Sequence, residues 1–378
     1  MRVALYHPWI YLKSGIERSF VELLPRSRHE WVLLTHHHEP DATYPELRDA
    51  SVVELSPPVS VRRSLGPLVQ ASWRIGRSRL PLDGVSSLLV SSEGLGDLVA
   101  PRSPGPVAAY CHTPLKILHD PATRAALVGT SVVKRAGLGL LGTAFESVDR
   151  RAWRSYRHVL ANSVETRARI EAAGLVPSGP VEVLHPGVDL GRFPVGAEGR
   201  EAFLLVAGRI MWQKDVELAL ETLEALQRKG KRVRLVVAGA VDEKSRPYLA
   251  DLRARVTGLD VTFETDPTDA RLSELYRTCA LVLFTARNED FGIVPLEAMA
   301  SGAPVLAVDS GGPRETVVHG VTGWLEPRDA DRFADRVLEV LEGRAGFTTS
   351  AIVARASEFT WDAFVTRVDD VMESIAHG

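Results

Sequence analysis

The chain predicts an α/β protein of two doubly wound, Rossmann-like domains facing across a cleft. Three observations predict it. The 378 residues amount to two domains of roughly 150 residues or more. The apolar runs of the second half are continuous rather than alternating, the pattern of strands buried on both faces. Between those runs lie segments of helical period, and strand, helix and strand repeated in this way build a right-handed parallel sheet.

Taken in order, residues 1–193 form the first domain, with strand candidates VALY, WVLL, SVVEL, SLLV, PVAAY, HVLA and VEVL separated by helical stretches. Segment 194–200, PVGAEGR, is the natural linker. The second domain, 201–355, is more regular, with strands FLLVAG (Phe203 to Gly208), RLVVAG (Arg234 to Gly239), LDVTFE (Leu259 to Glu264), LVLF (Leu281 to Phe284) and PVLAV (Pro304 to Val308). In DVELALETLEALQRKG, Val216, Leu220, Leu223 and Leu226 recur at helical spacing until Gly230 stops the pattern. The last stretch, 356–378, contains FVTRVDDVMESI, a helix expected to cross back to the first domain.

Composition narrows the class. At 45% hydrophobic and 25% charged residues, with 30 glycines and 23 prolines, the chain is neither disordered nor collagen-like. Cys111 and Cys279 lie in different halves, which excludes a disulfide framework and a CxxC site and fits a reducing cytosol. The opening MRVALYHPWI, broken by His7 and Pro8, reads as a strand rather than a signal peptide. The longest apolar run, Ala136 to Phe145, is about half the length that spans a bilayer, so no crossing is expected.

The net charge of −3 conceals a split: 22 Lys and Arg against 17 Asp and Glu up to His185, then 23 against 31. Nucleic acid is not among the expected partners. In SVRRSLGPLVQASWRIGRSRLP, Leu65, Leu68, Val69, Trp73 and Ile75 stand beside Arg62, Arg63, Arg74, Arg77 and Arg79. The segment reads as a surface helix packed on its own sheet or as a basic amphipathic helix lying on anionic lipid.

The chemistry concentrates in NEDFGIVPLEAMASGAPVLAV, after the strand LVLF. Ligands of open α/β sheets sit at the carboxyl ends of strands, where a helix start offers free N–H groups to a phosphate. Gly292, Ile293 and Val294 are the expected donors, and Pro295 suits the first turn. Glu289 stands in the loop before the helix, and Glu297 in its first turn can accept hydrogen bonds from hydroxyls; alternatively Glu297 only complements the helix dipole. At the end of the domain's first strand, GRIMWQKD carries Arg209 and Lys214, the cations a diphosphate needs when no metal neutralises it. SGGPRETV, Ser310 to Val317, adds a third glycine-rich turn. In the first domain, KSGIERSF places Gly15 before a helix, where backbone could approach a ligand, and YCHTP aims His112 at the rim, where it is either a ligand-facing group or a satisfied structural histidine.

Other patterns carry less. His36, His37 and His38 lack metal-ligand spacing and read as a solvated loop. Asp329 and Asp331, after Pro327, read as helix-start residues rather than a magnesium site. Gly94 to Gly96 is an incomplete dinucleotide fingerprint, and no GxxxxGK[ST] is present.

Read together, GRIMWQKD, NEDFGIVPLEAMASGAPVLA with its glutamates eight positions apart, and GGPRETVVHGVTGWL resemble the donor half of the retaining glycosyltransferases of family 4, which have the GT-B fold. The resemblance continues through ANSVETRARI and HPGVDLGRF to YCHTP and SGIERSF, covering nearly the whole chain, and YCHTP with EDFGIVP is most similar to the family's mannosyltransferase branch. It implies that Arg209 and Lys214 hold the donor diphosphate, Glu297 the ribose and Glu289 the transferred sugar. It further implies that Phe291, Gly292 and Ile293 line the sugar and phosphate site, that His112 reaches the sugar, and that Gly15 approaches the diphosphate. Two departures stand out: Ser14-Gly15 replaces the family's usual pair of glycines, and Leu115-Lys116 replaces the branch's frequent Met-Arg.

The residues together with this resemblance predict a metal-independent hexosyl transfer, without cofactor, from a nucleotide-diphosphate sugar to a glycan, lipid-linked sugar or small metabolite; retention, and GDP-mannose as the first donor, are what the resemblance to the family and its mannosyltransferase branch implies. No covalent nucleophile is expected, and the resemblance implies a front-face mechanism. Closure of the domains over the donor is expected. The expected location is the cytoplasm, with peripheral contact at the inner membrane face left open. A sugar-nucleotide epimerase of similar build and a non-catalytic nucleotide-sugar sensor are the competing readings.

Overall fold

In the computed structural model, which describes residues 1–48, 50–60, 65–129, 132–196 and 199–378, the chain divides into two units. The first is Met1–Pro186 with Trp361–Gly378, the second Gly187–Thr360.

The first unit is built on seven strands: β1 (Arg2–Tyr6), β2 (Glu30–Thr35), β3 (Val52–Glu54), β4 (Ser87–Ser92), β5 (Val107–Cys111), β6 (Tyr156–Ala161) and β7 (Val181–Val183). They run parallel in the order β3-β2-β1-β4-β5-β6-β7. Val3, Ala4, Leu5 and Tyr6 are buried without alternation, because helices cover both faces of the sheet. The strand order reverses between β1 and β4, so the loops leaving those strands part and open a crevice at their carboxyl ends.

The second unit repeats the plan with β8 (Glu201–Ala207), β9 (Arg234–Gly239), β10 (Val261–Thr265), β11 (Cys279–Phe284), β12 (Val305–Val308) and β13 (Gly323–Glu326). Their order is β10-β9-β8-β11-β12-β13, all parallel, reversing between β8 and β11. Strand β13 is absent from the sequence-based expectation, since GWLE is short and opens on glycine. The helix Val216–Arg228 ends where Gly230 takes φ +75°, and Leu218, Leu220, Leu223 and Leu226 fill its buried face.

The boundaries differ from those expected. Residues 187–193 belong to the second core: Val188 N–H donates to the Phe359 carbonyl at 3.0 Å, and Phe193 meets the Tyr276 ring edge-on at 5.6 Å. The division therefore falls at 186/187 rather than at a linker over 194–200, of which 197 and 198 lie outside the described residues. The return also comes late. Ile352, Ala356 and Phe359 stay in the second core, and only from Trp361 does the chain rejoin the first unit. There the helix Trp361–His377 buries Phe364 against Tyr110, ring centroids 5.1 Å apart, while Asp369 accepts from Ser27 Oγ at 2.6 Å and the Arg28 amide at 2.9 Å. Each large apolar side chain buried in this way contributes about 1.5–3 kcal/mol.

The less informative sequence patterns also find their places. His36 is not in a solvated loop: it is buried, with Nδ1 2.9 Å from Tyr6 Oη and Nε2 2.6 Å from Ser78 Oγ, and burial pushes its pKa down to about 4. Asp329 caps the helix Ala330–Leu341 through the amides of Asp331 and Arg332. The segment after Pro58 forms the helix Leu65–Ile75, with Ala71 and Ile75 buried while Trp73 and Val69 are exposed; Arg62 and Arg63 lie outside the described residues. Ala136 to Phe145 falls within the helix Val132–Trp153, and among the described residues no helix is long and apolar enough to cross a membrane.

Candidate active site

In the second unit, the loops leaving β8 and β11 flank the reversal of strand order, and both sequence-predicted cations lie on the first. The turn at Gly208, φ +112°, leads to Arg209, which is half-buried and has no ion-pair partner among the described residues. A tight turn over Trp212–Lys214 comes next. The loop after β11 is tied to that turn twice: Thr285 Oγ1 donates to the Lys214 carbonyl at 2.7 Å, and the Arg287 amide to the Gln213 carbonyl at 2.8 Å. As a result Lys214 Nζ stands 2.7 Å from Glu289 Oε2 and 5.6 Å from the centre of the Phe284 ring, with both ionic side chains about four-fifths shielded.

Glycines explain how Glu289 is held. A Cβ on Gly311, φ +64°, would come within 2.2 Å of the Glu289 carbonyl oxygen, and one on Gly312 within 2.1 Å of the Phe291 carbonyl oxygen. With no side chains in the way, the Gly312 amide donates to the Glu289 carbonyl at 3.0 Å. Gly292 takes φ +79° against Phe284 and Glu289, and turns the chain into the helix Val294–Ala300. Ile293 holds the cap position and Pro295 the first turn. Among the described residues the Gly292, Ile293 and Val294 amides meet no backbone acceptor, as befits the start of a helix.

Glu297 does more than complement a dipole. Its Oε2 accepts from Tyr276 Oη at 2.8 Å. Burial first, then the charge of Glu297, push the Tyr276 phenol far above its ordinary pKa, so it remains a donor and fixes that carboxylate. The Phe291 side chain is buried in the core, tilted against Phe359 at 6.2 Å, and its backbone lies against the Gly311–Gly312 turn.

The first unit assembles a second group at its own reversal. His112, just beyond β5, is nine-tenths buried, with Nε2 2.9 Å from Ser91 Oγ and its ring edge-on to Tyr110 at 4.9 Å. Ser91 also accepts, at its carbonyl, the Nδ1–H of His7 at 3.1 Å. Burial, with His7 beside it, pushes His112 down to about 3, so the imidazole is neutral at pH 7. Gly15 opens the helix Gly15–Arg26, whose cap Ser14 accepts from the Ile16 amide and donates to Glu17. Nothing lies within 4 Å of a Cβ built on Gly15, so that backbone is open to a ligand. Glu17 itself is buried, which raises its pKa against the opposing influence of His7 and Ser14.

Sequence reasoning misses His7, Ser91, Tyr276 and the group around Asp215. His7 lies just past one predicted strand and Ser91 at the end of another, so inspection of every strand end would find them. Tyr276 and the partners of Asp215 are brought in by tertiary contacts over 21 to 113 positions, which no local pattern signals.

Residues 14–192 match the family profile described as Glycosyltransferase Family 4, and residues 189–356 match Glycosyl transferases group 1. The chain belongs to glycosyltransferase family 4. Human alpha-1,3/1,6-mannosyltransferase ALG2 is 34% identical over 186 residues, 45% of this chain and 45% of that protein. The Neurospora crassa protein of the same description is 26% identical over 403 aligned positions, 90% and 82% of the two chains. D-inositol 3-phosphate glycosyltransferase of Thermobispora bispora is 34% identical over 235 residues, 56% of this chain and 55% of that protein. The match spans about half the length of the first of these curated relatives. Among solved structures, Anabaena HepE in complex with UDP and glucose superposes with a TM-score of 0.74 at 18% identity, covering 99% and 100% of the chains. Sucrose-phosphate synthase of Thermosynechococcus elongatus does so with 0.76 at 18%, covering 99% and 98%. This family 4 member has the GT-B fold, two parallel-sheet α/β domains.

Proposed function

We propose that the protein is a retaining, metal-independent glycosyltransferase that moves a hexosyl unit from a nucleotide-diphosphate sugar to an acceptor hydroxyl, with GDP-mannose the expected donor. The observation that carries this reading is the pairing of Lys214 with Glu289 beside the strand-order reversal: a cation suited to phosphate and a carboxylate suited to sugar hydroxyls, 2.7 Å apart. The preference for mannose rests on the similarity to the ALG2 alpha-1,3/1,6-mannosyltransferases.

In this reading Arg209, Lys214 and the amides of Gly292, Ile293 and Val294 stabilise the charge that grows on the departing diphosphate, the term of largest expected weight. Glu289 holds the sugar hydroxyls, and Glu297, oriented by Tyr276, the ribose. Neutral His112 exchanges hydrogen bonds with the sugar, and Gly15 offers backbone to the diphosphate. The bond from the anomeric carbon to the phosphate oxygen breaks while the bond to the acceptor oxygen forms on the same face, and the acceptor's proton passes to the departing phosphate oxygen.

The test is a panel of GDP-, UDP-, ADP- and dTDP-sugars with excess EDTA, monitored by thermal stability and slow donor hydrolysis. A nucleotide at about 100 times its Kd adds roughly 2.7 kcal/mol of stability. Stabilisation by one nucleotide and release of its sugar despite EDTA are expected; binding that requires Mg2+ would overturn the metal-independent reading. An epimerase would instead convert the donor without any acceptor, and a sensor would convert nothing.

The acceptor is a glycan, a lipid-linked sugar or a small metabolite. Exposed Trp73, with the Arg77 guanidinium 4.7 Å above its ring, and exposed Val69 favour peripheral contact with anionic lipid at the cytoplasmic face. Failure to sediment with anionic vesicles at low salt would remove that part of the proposal.

A further inference from the structure

Asp215 comes directly after Lys214, and its carboxylate is fully buried. It occupies the cap position of the helix Val216–Arg228 in the left-handed region, φ +47° and ψ +50°, where a residue with a Cβ is uncommon. An aspartate at a cap ordinarily accepts from the helix's first amides, yet here it makes no capping hydrogen bond, and the Val216 amide donates to Tyr248 Oη at 3.2 Å instead. The carboxylate is committed elsewhere. Arg287, from the loop after β11, reaches it with Nε at 2.7 Å and Nη2 at 2.8 Å; Arg328, from the turn after β13, with Nε at 2.5 Å and Nη2 at 3.1 Å. Burial opposes the charge, but hydrogen bonds from Arg287 and Arg328 outweigh it and hold the carboxyl below its ordinary pKa.

These contacts join three loops at one buried atom pair. The Lys214 turn, the Glu289 loop and the end of β13 each contribute a charged group to it, and the Arg287 backbone is simultaneously bonded to Gln213 at 2.8 Å. From this arrangement we propose that Asp215 is a positioning residue for anion capture, its clamp between Arg287 and Arg328 fixing the turn that aims Lys214 at the donor diphosphate. The inference rests on the donor-site reading above. It assigns to Asp215 no contact with substrate; the residue acts through Lys214. A purely structural role would lower stability in the same measure whether or not Lys214 is present, whereas a positioning role loses its meaning once the lysine is gone.

The test is a double-mutant cycle on nucleotide binding, with GDP, UDP, ADP and dTDP titrated calorimetrically against the full chain. Asp215→Asn, which keeps the size and tolerates the left-handed turn, should weaken the best of the four by about tenfold. Lys214→Met should weaken it by about 30-fold, and the double variant should bind within about twofold of Lys214→Met alone. Should Asp215→Asn fail to fold, Arg287→Gln enters the same cycle from a half-exposed position, and Arg287→Lys, which keeps one charge at the carboxylate, should recover most of the lost affinity. Full additivity of the two substitutions, or no rescue by lysine, overturns the positioning role and leaves the donor site standing. If none of the four nucleotides binds the wild type, or Lys214→Met leaves Kd unchanged, the donor-site reading falls and the inference falls with it.

Discussion

The rims of the two sheets are built alike and wired differently. In the second unit the loops at the strand reversal are joined by charge: Lys214 to Glu289, Asp215 to Arg287 and Arg328, with Arg209 beside them and without an ion-pair partner among the described residues. In the first unit the corresponding positions are joined by hydrogen bonds around a histidine that burial keeps neutral, His112 to Ser91 and Ser91 to His7, with Glu17 raised beside them. One topology thus serves two electrostatic tasks. A rim of cations and compensating carboxylates suits a ligand that brings two or more negative charges, while a rim centred on a neutral histidine and its hydroxyl partner suits hydroxyls. The doubly wound sheet supplies only the crevice; the side chains at the strand ends decide what fills it.

The largest effect that could break this contrast belongs to the charged rim. Arg209→Ala and Lys214→Ala should each lower kcat/KM with a proven donor by about 30-fold to a thousandfold, or roughly 2–4 kcal/mol, as expected when a cation facing developing charge is removed. Steady-state kinetics at saturating acceptor measure it. Wild-type kcat/KM in either variant would mean that the second rim does not handle the diphosphate, and the contrast between the two units would lose its basis.

How much of the molecule is legible in its sequence depends on the range of the interactions. Both sheets show in the continuous apolar runs, because burial on two faces leaves no polar alternation, and only the short β13 escapes. Arg209, Lys214 and Glu289 draw attention in the sequence because each stands in a loop that leaves a predicted strand, and Glu297 because it lies in the first turn of the helix that follows one. The boundary of the second unit is not, because PVGAEGR resembles a linker in composition, whereas Val188 and Phe193 are packed into the second core, a fact of tertiary contact alone. His36 is hidden for a similar reason: nothing in HHH announces that Tyr6 and Ser78 will enclose its first member. Asp215 has the look of an ordinary helix cap, and only the arrival of Arg287 and Arg328 from 72 and 113 residues away gives it another role.

A second measurement sharpens the neutral side of the comparison. His112 carries a folded pKa of about 3 against about 6.5 in an unfolded chain. The unfolded state therefore binds more protons between those values, so the stability conferred by neutral His112 is present above pH 6.5 and is lost as pH falls towards 3. His112→Gln removes the titrating group. Urea unfolding at pH 7 and pH 5 should show the wild type losing about 1.4 kcal/mol per pH unit below 6.5 relative to this variant, and kcat/KM should show no inflection from His112 between pH 6 and 8. A stability difference that stays flat with pH would place the histidine in a wetter, ionisable setting and blur the distinction between the rims.

The smallest effect tests the charged rim from the opposite direction. While Lys214 is paired with Glu289, a phosphate must compete for its ammonium. Replacing Glu289 with Gln removes the competitor and one negative charge near the phosphate path while keeping the side chain's shape. A nucleoside diphosphate without sugar should therefore bind the Glu289→Gln variant about twofold to fivefold more tightly, even as transfer falls under the proposed role of Glu289 in holding the sugar hydroxyls. Calorimetric titration of the wild type and the variant with the same nucleotide reads the sign directly. Weaker binding in the variant would mean that Glu289 orients Lys214 rather than competing for it, and the carboxylates of the second rim would then be scaffolding for its cations instead of their counterweight.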